Sequence, residues 1–206
     1  MTTCLILAAG EAERHNGGNK PLLEVNGETL LSRTCRLVQP HCQCFWIVTH
    51  RTDMEDWQPL CVNPKNRRWI VETLVSSMSL WSNTGSTTIL LGDVFYTQFA
   101  IDMVFGTLQK ITAFGHGCNI HAVRWFVDDN SYVSKRLSAE RDYAEKHPRR
   151  HGAGKLWHWI NCDPEIKVYD FCDETTDFDS PQEHKRFIAK YGNRNLRTTA
   201  EASKAR

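Results

Sequence analysis

The sequence predicts a single α/β domain, with a mostly parallel, mixed sheet and helices on both faces. Three observations carry this prediction. Short apolar runs at residues 3–9, 44–49 and 87–91 read as buried strands. Helix-like stretches alternate with them, and that rhythm favours a parallel sheet. Each of the first and third runs ends on glycine, at Gly10 and at Gly92-Asp93, where an open α/β sheet would hold a ligand.

Each element has its own reason. Residues 3–9 are short, apolar and broken by Gly10. Residues 10–19 are small or polar and form a loop. Residues 21–25 read as a short extended piece, Asn26-Gly27 as a turn, and residues 29–38 as a helix stopped by Pro40. The run CFWIVT at 44–49 is the second strand. Val71, Leu74, Val75, Met78 and Trp81 form one stripe, which predicts a helix over 71–81. Residues 108–114 and 120–127 read as two strands joined by Gly115-His116-Gly117. A helix over 131–146 carries the i,i+4 pairs Arg136–Glu140 and Arg141–Glu145. The basic stretch KHPRRHGAGK then covers 146–155. Eight carboxylates follow between 163 and 183, and 181–191 reads as the last helix. The domain is expected to span 1–191, and the polar residues 192–206 to form a disordered tail.

Composition narrows the function classes. The chain has 206 residues, with 25 Lys+Arg against 24 Asp+Glu and a formal net charge of +1. That balance excludes a strongly basic nucleic-acid wrapper, and no nucleic-acid partner is indicated. No apolar run approaches the roughly 18 residues of a membrane span, and residues 4–9 are too short and wrongly flanked for a leader. The eight cysteines therefore predict a reducing, cytoplasmic setting, with Cys4, Cys35, Cys61, Cys118, Cys162 and Cys172 as small core residues. His41-Cys42-Gln43-Cys44 lacks the second half that a zinc site needs. The oligomeric state is left open.

Two candidate sites arise at strand ends: the loop after the first strand and Asp93 after the third. Small residues at Ala8, Ala9 and Gly10 allow backbone N–H groups to approach a phosphate, and Arg14 and Lys20 supply positive charge. Neither GK[ST] nor GxGxxG is present, which excludes the Walker A loop and the dinucleotide fingerprint. Lys155, beside Gly154 and ahead of Leu156-Trp157, is the candidate for an anionic acceptor. Trp125, Trp157 and Trp159 are either core residues or the lining of a base or sugar pocket.

Taken together, LILAAG-x-A-x-R, KPLL-x-V-x-G, LL-x-R, Leu91-Gly92-Asp93-Val94 and Thr176-Asp177-Phe178-Asp179-Ser180-Pro181 resemble the signature of a nucleotidyltransferase family. That family joins an NTP to a sugar 1-phosphate, and molybdenum-cofactor guanylyltransferases share its general form. The resemblance implies a GT-A-like, Rossmann-like fold, Mg²⁺ as cofactor, and an NTP plus a phosphorylated sugar or similar small acceptor as substrates. It implies a nucleotide site of Leu7, Ala8, Ala9, Gly10, Glu11, Ala12, Arg14, Lys20, Ser76 and Ser79. It also implies Arg14, Lys20 and Asp93 in catalysis, Lys155 on the acceptor, and Asp93, Asp179 and Asp177 as metal ligands. Two departures stand out: Ala12 replaces the second glycine of LAAGxGxR, and extra residues precede Lys20. Two alternatives remain at this level. One is a glycosyltransferase of related fold that uses a nucleotide sugar; the other is a non-catalytic nucleotide- or sugar-binding module.

Overall fold

A computed structural model describes residues 1–10, 18–51, 61–64, 68–117 and 119–191. The expected tail, residues 192–206, and the expected core residue Cys118 lie outside these.

Seven strands form one sheet in the order β10-β8-β9-β6-β1-β4-β5. Their ranges are β1 (Thr2–Leu7), β4 (Cys44–Val48), β5 (Cys61–Val62), β6 (Ser86–Leu91), β8 (Ile111–His116), β9 (Asn119–Phe126) and β10 (Lys167–Asp170). β1 runs parallel to β4 and β6, β4 to β5, and β10 to β8; only β9 is antiparallel to its neighbours. The sheet is therefore mostly parallel and mixed, as the strand rhythm predicts.

β1 is buried on both faces, and its alternating side chains enter different cores. Cys4 and Ile6 join Leu31, Val38, Leu90, Ile101 and Phe114 on one side. Leu5 and Leu7 join Val71, Leu74, Trp125, Leu137 and Trp159 on the other. The first core is covered by α1 (Leu30–Val38) and α3 (Gln98–Gly106), the second by α2 (Ile70–Ser76), α4 (Asn130–Lys146) and α5 (Leu156–Asn161). A third, smaller core of Val25, Leu30, Phe95 and Phe178 has Phe187 packed against it. It gathers β2 (Glu24–Val25), β3 (Glu28–Thr29), β7 (Val94–Phe95), β11 (Thr176–Asp177) and α6 (Pro181–Tyr191) beside the sheet.

Several boundaries differ from expectation, each for a local reason. The helix over 71–81 stops at Ser76, because the Ser77 hydroxyl donates to the Leu74 carbonyl at 2.9 Å and a short 3-10 turn, Met78–Leu80, follows. Residues 108–110 are not strand; Leu108 is 85% exposed and β8 starts at Ile111. The i,i+4 pairs on α4 give way to other partners. Arg136 instead donates from Nε to Asp163 at 2.8 Å, Glu140 is held by His158 and Gly154, and Arg141 pairs with Asp142. Cys4 and Cys35 are core residues and Cys61 is half-buried, but Cys162 and Cys172 are exposed. Cys162 follows the end of short α5, and Cys172 sits in a left-handed turn at φ +53°, so neither faces the interior. Trp125 and Trp159 are core, whereas Trp157 is half-buried against Gly152. Among the described residues, no helix is long and apolar enough to cross a membrane.

Candidate active site

Three charged side chains meet where the carboxyl edge of the sheet joins the third core. The Lys20 ammonium lies 3.7 Å from Asp93 Oδ2 and 3.9 Å from Asp179 Oδ1. Hydrophobic neighbours in sequence anchor each of them. Lys20 opens a 3-10 turn, Lys20–Leu22, above the buried Pro21. Asp93 directly precedes Val94-Phe95, and Asp179 directly follows Phe178. Antiparallel pairing of Val94 with Asp177 brings the last two chain segments together.

The Asp93 turn is fixed from two sides. The Gly92 N–H donates to the Leu7 carbonyl at 2.8 Å, and a Cβ at Gly92 would stand 3.1 Å from that same oxygen. Any larger residue would require the neighbouring backbone to give by a few tenths of an ångström. Beyond the Leu90–Ala122 pair the β6–β9 ladder opens, and the buried Tyr96 hydroxyl fills the gap. It accepts from the Leu91 N–H at 3.0 Å and donates to the His121 carbonyl at 2.6 Å. Burial pushes the Asp93 carboxyl above its ordinary range; the Lys20 ammonium draws it back, while the Asp177 carboxylate adds to the rise.

Ser180 caps α6. The Glu183 N–H donates to Ser180 Oγ at 3.3 Å, and Glu183 Oε2 accepts from the Asp179 N–H at 2.7 Å. Ser180 thus caps one N–H of α6, while the Glu183 carboxylate ties the preceding Asp179 backbone to the first turn.

A cleft of about 850 Å³ opens beside these groups. Leu7, Ala8, Ala9 and Gly10 form one wall, with Lys20 and Asp93 also lining the space. The Ala8 N–H already donates to the Val48 carbonyl at 2.9 Å, so Ala8 serves the cleft by its small size rather than by that donor. Among the described residues, nothing lies within 4 Å of a Cβ built on Gly10. Arg68, Trp69, Ile70 and Thr73 also wall the cleft, as does Lys155. Arg68 stacks 4.4 Å over the Trp69 ring, and Glu72 Oε2 accepts from the Arg68 N–H at 2.8 Å.

Asp93 and Asp179 are hard oxygen donors that already share one cation. Among the described residues, no group of three or more His, Cys, Asp or Glu side chains is gathered around a metal position. A divalent ion that takes one or two carboxylates and completes its shell with phosphates and water fits this pair.

The model of the MobA-like NTP transferase domain family matches residues 4–145, more than half of the chain. The chain belongs to this family of nucleotidyltransferases. A Synechococcus elongatus protein named probable molybdenum cofactor guanylyltransferase is 35% identical over 72 residues, which is 35% of each chain. Three solved structures share the fold. A Streptococcus pneumoniae CTP:phosphocholine cytidylyltransferase has a TM-score of 0.66 at 14% identity, covering 92% of this chain and 98% of its own. A T. maritima inositol-1-phosphate CTP transferase scores 0.62 at 14% identity, covering 92% and 96%. A Bacillus anthracis protein assigned as a glucose-1-phosphate thymidylyltransferase scores 0.66 at 12% identity, covering 96% and 98%.

The cleft unites Leu7 to Gly10, Lys20 and Asp93 of the matched MobA-like domain with Lys155 beyond it, and Asp179, also beyond it, contacts Lys20. Asp177 lies next to them on β11, in a second groove of about 430 Å³ that also includes Asp179 and Arg186. Glu11, Ala12 and Arg14 lie outside the described residues. Ser76 ends α2 and Ser79 is exposed on the following turn; neither lines the cleft, because α2 meets it one turn earlier, at Ile70 and Thr73. Sequence reasoning missed Arg68, Trp69, Thr73 and Tyr96. The apolar spacing of 71–81 marks the core face of the helix and carries no signal for the residues at its start.

Proposed function

We propose that this chain transfers a nucleoside monophosphate from an NTP to a phosphorylated acceptor of the sugar 1-phosphate class, releasing pyrophosphate. The observation that carries the reading is Lys20 bridging Asp93 and Asp179 at a cleft walled by small residues. Family membership supports the reaction class. The names of the fold relatives, which include transferases acting with inositol 1-phosphate, phosphocholine or glucose 1-phosphate, support an acceptor that presents a phosphate.

The chemistry is an in-line displacement. An acceptor phosphate oxygen forms the new bond to the α-phosphorus, and the bond to the pyrophosphate oxygen breaks. No covalent enzyme intermediate is needed. Lys20 and Arg14 stabilise negative charge on the triphosphate and on the leaving pyrophosphate. Lys155 receives the acceptor's phosphate. Asp93 and Asp179, with Asp177 adjacent, would hold Mg²⁺, which when bound supplies charge neutralisation at the phosphates. The small side chains of Ala8, Ala9 and Gly10 leave room for the phosphates, and the Trp69–Thr73 wall bounds the base end. The seven described cysteines are free thiols, which fits a reducing cytoplasm.

The test is pyrophosphate release with each of the four NTPs against a set of sugar 1-phosphates, phosphocholine and inositol 1-phosphate. Release that requires both an NTP and one of these acceptors supports the reading. Release of a nucleoside diphosphate or monophosphate from a nucleotide sugar, with the sugar passing to an acceptor, would point instead to a glycosyltransferase, and nucleotide binding without turnover to a binding module.

A further inference from the structure

A buried carboxylate on α4 holds the turn that joins Lys155 to the Trp69–Thr73 side of the cleft. Glu140, on α4, is 8% exposed. Its Oε1 accepts from the Gly154 N–H at 2.8 Å, and both carboxylate oxygens lie 2.8–2.9 Å from His158 Nδ1. Gly154 sits at φ +77°, and a Cβ there would come within 2.5 Å of Trp69 Cγ. The Gly154 carbonyl in turn accepts from the Val71 N–H at 3.3 Å, at the start of α2. One glycine therefore touches Trp69, bonds α2 and precedes Lys155, and Trp69 and Lys155 both line the cleft.

We infer that Glu140 is a positioning residue for the cleft: it fixes the turn at Gly154, and through it the spacing between Lys155 and the Trp69–Thr73 wall. A carboxylate this buried is costly unless its oxygens are well bonded, and two donors on different elements satisfy them here. The imidazole of His158 is itself stacked on Tyr143, with ring centres 5.2 Å apart, so the clamp rests on packed groups rather than on a free loop. Reach matters more than charge. A glutamine could still accept from Gly154, whereas an aspartate, one methylene shorter, could not span to both donors. The inference rests on the proposed nucleotide site, since it assigns Glu140 to shaping that site.

The test has two arms. Amide hydrogen exchange needs no ligand: Glu140→Ala should speed exchange together in residues 152–155 and 69–73, with other segments of the sheet unaffected. Acceleration confined to 152–155, or none, would overturn the coupling. The second arm measures the Kd of each of the four NTPs with Mg²⁺ by calorimetry. Loss of the bonds that anchor Gly154 and His158 should weaken the best-bound NTP about tenfold in Glu140→Ala. Glu140→Gln should restore binding to within about twofold. If Glu140→Ala does not fold, Glu140→Asp should show the same exchange pattern and an intermediate Kd. Unchanged Kd in folded Ala or Asp variants, with a lower Tm alone, would make Glu140 merely structural. Absence of NTP binding in the parent would sink the proposed nucleotide site, while the exchange arm would still decide the clamp.

Discussion

At the scale of single residues, the site depends on a few atoms whose neighbours are fixed by packing. Asp93→Asn keeps the size of the side chain and one acceptor oxygen but removes the charge that a hard cation needs. The Gly92 contact with Leu7 does not involve that charge, so the variant should fold with a Tm close to the parent's. Pyrophosphate release should fall on the order of 10³-fold at saturating Mg²⁺. Activity within about tenfold of the parent, roughly 1.4 kcal/mol, would remove Asp93 from the metal site. Tyr96→Phe deletes one oxygen and leaves the Leu91 N–H and the His121 carbonyl without their bridge. Orphaned buried groups cost about 1–3 kcal/mol, so chemical denaturation should show that loss. Because the bridge also sets the turn into Asp93, turnover per folded molecule should fall as well. Stability lost with turnover intact would make Tyr96 a purely structural pin.

At the scale of elements, α1 shows how local signals and distant contacts combine. Thr29 caps it by accepting from the Ser32 N–H at 3.1 Å, and Glu28 pairs with Arg36 through two bonds of 2.7 and 2.8 Å. Those bonds, with Arg33 nearby, hold the Glu28 carboxyl below its ordinary range. Its contribution is therefore present above the usual glutamate pKa and is lost as pH falls through the depressed folded value. Glu28→Gln should cost up to about 1 kcal/mol near neutrality, since the pair is partly solvated. The difference from the parent should shrink once pH falls below the ordinary glutamate range and vanish below the depressed folded value, as read from urea unfolding across pH. A constant difference at all pH values would assign the effect to packing. The same interplay explains elements that the sequence hides. In α3, Phe99, Ala100, Ile101, Met103, Val104 and Phe105 put apolar side chains all round the helix, so no stripe marks it. β10 lies within the acidic stretch and pairs only with β8, with mostly exposed side chains, so it lacks the apolar run of a buried strand.

At the scale of the whole molecule, the continuous sheet ties two cores together through β1. Leu5 and Ile6 are both fully buried but belong to opposite faces. Leu5→Ala and Ile6→Ala should each cost about 2–5 kcal/mol and shift a single unfolding transition. Circular dichroism and tryptophan fluorescence should give the same midpoint; separate midpoints would mean that the two faces unfold independently. The proposed site adds a ligand test at this scale. NTP should raise Tm only with a divalent metal present, because the Asp93 and Asp179 carboxylates oppose phosphate charge otherwise. Equal stabilisation in excess EDTA would argue against a shared metal.

The sequence by itself determined the strands that build the centre of the sheet, the turn at Asn26-Gly27 and most of the charged site. These signals are local: an apolar run, a turn dipeptide at φ +57° and +76°, and Lys20, Asp93 and Asp179 each beside a hydrophobic anchor. The family signature could therefore be read along the chain, as far as Thr176 to Pro181. Only the tertiary structure decided which residues face the cleft and which charges pair. Arg136 and Glu140 are one turn apart and suited to each other, yet each bonds to a segment more than ten residues away. Buried partners on other elements offer stronger, less screened interactions than a solvated i,i+4 pair, and nothing in the local spacing announces them. Trp69 enters the cleft for the same reason. Its position depends on Gly154, 85 residues later, whose lack of a Cβ lets two distant turns touch.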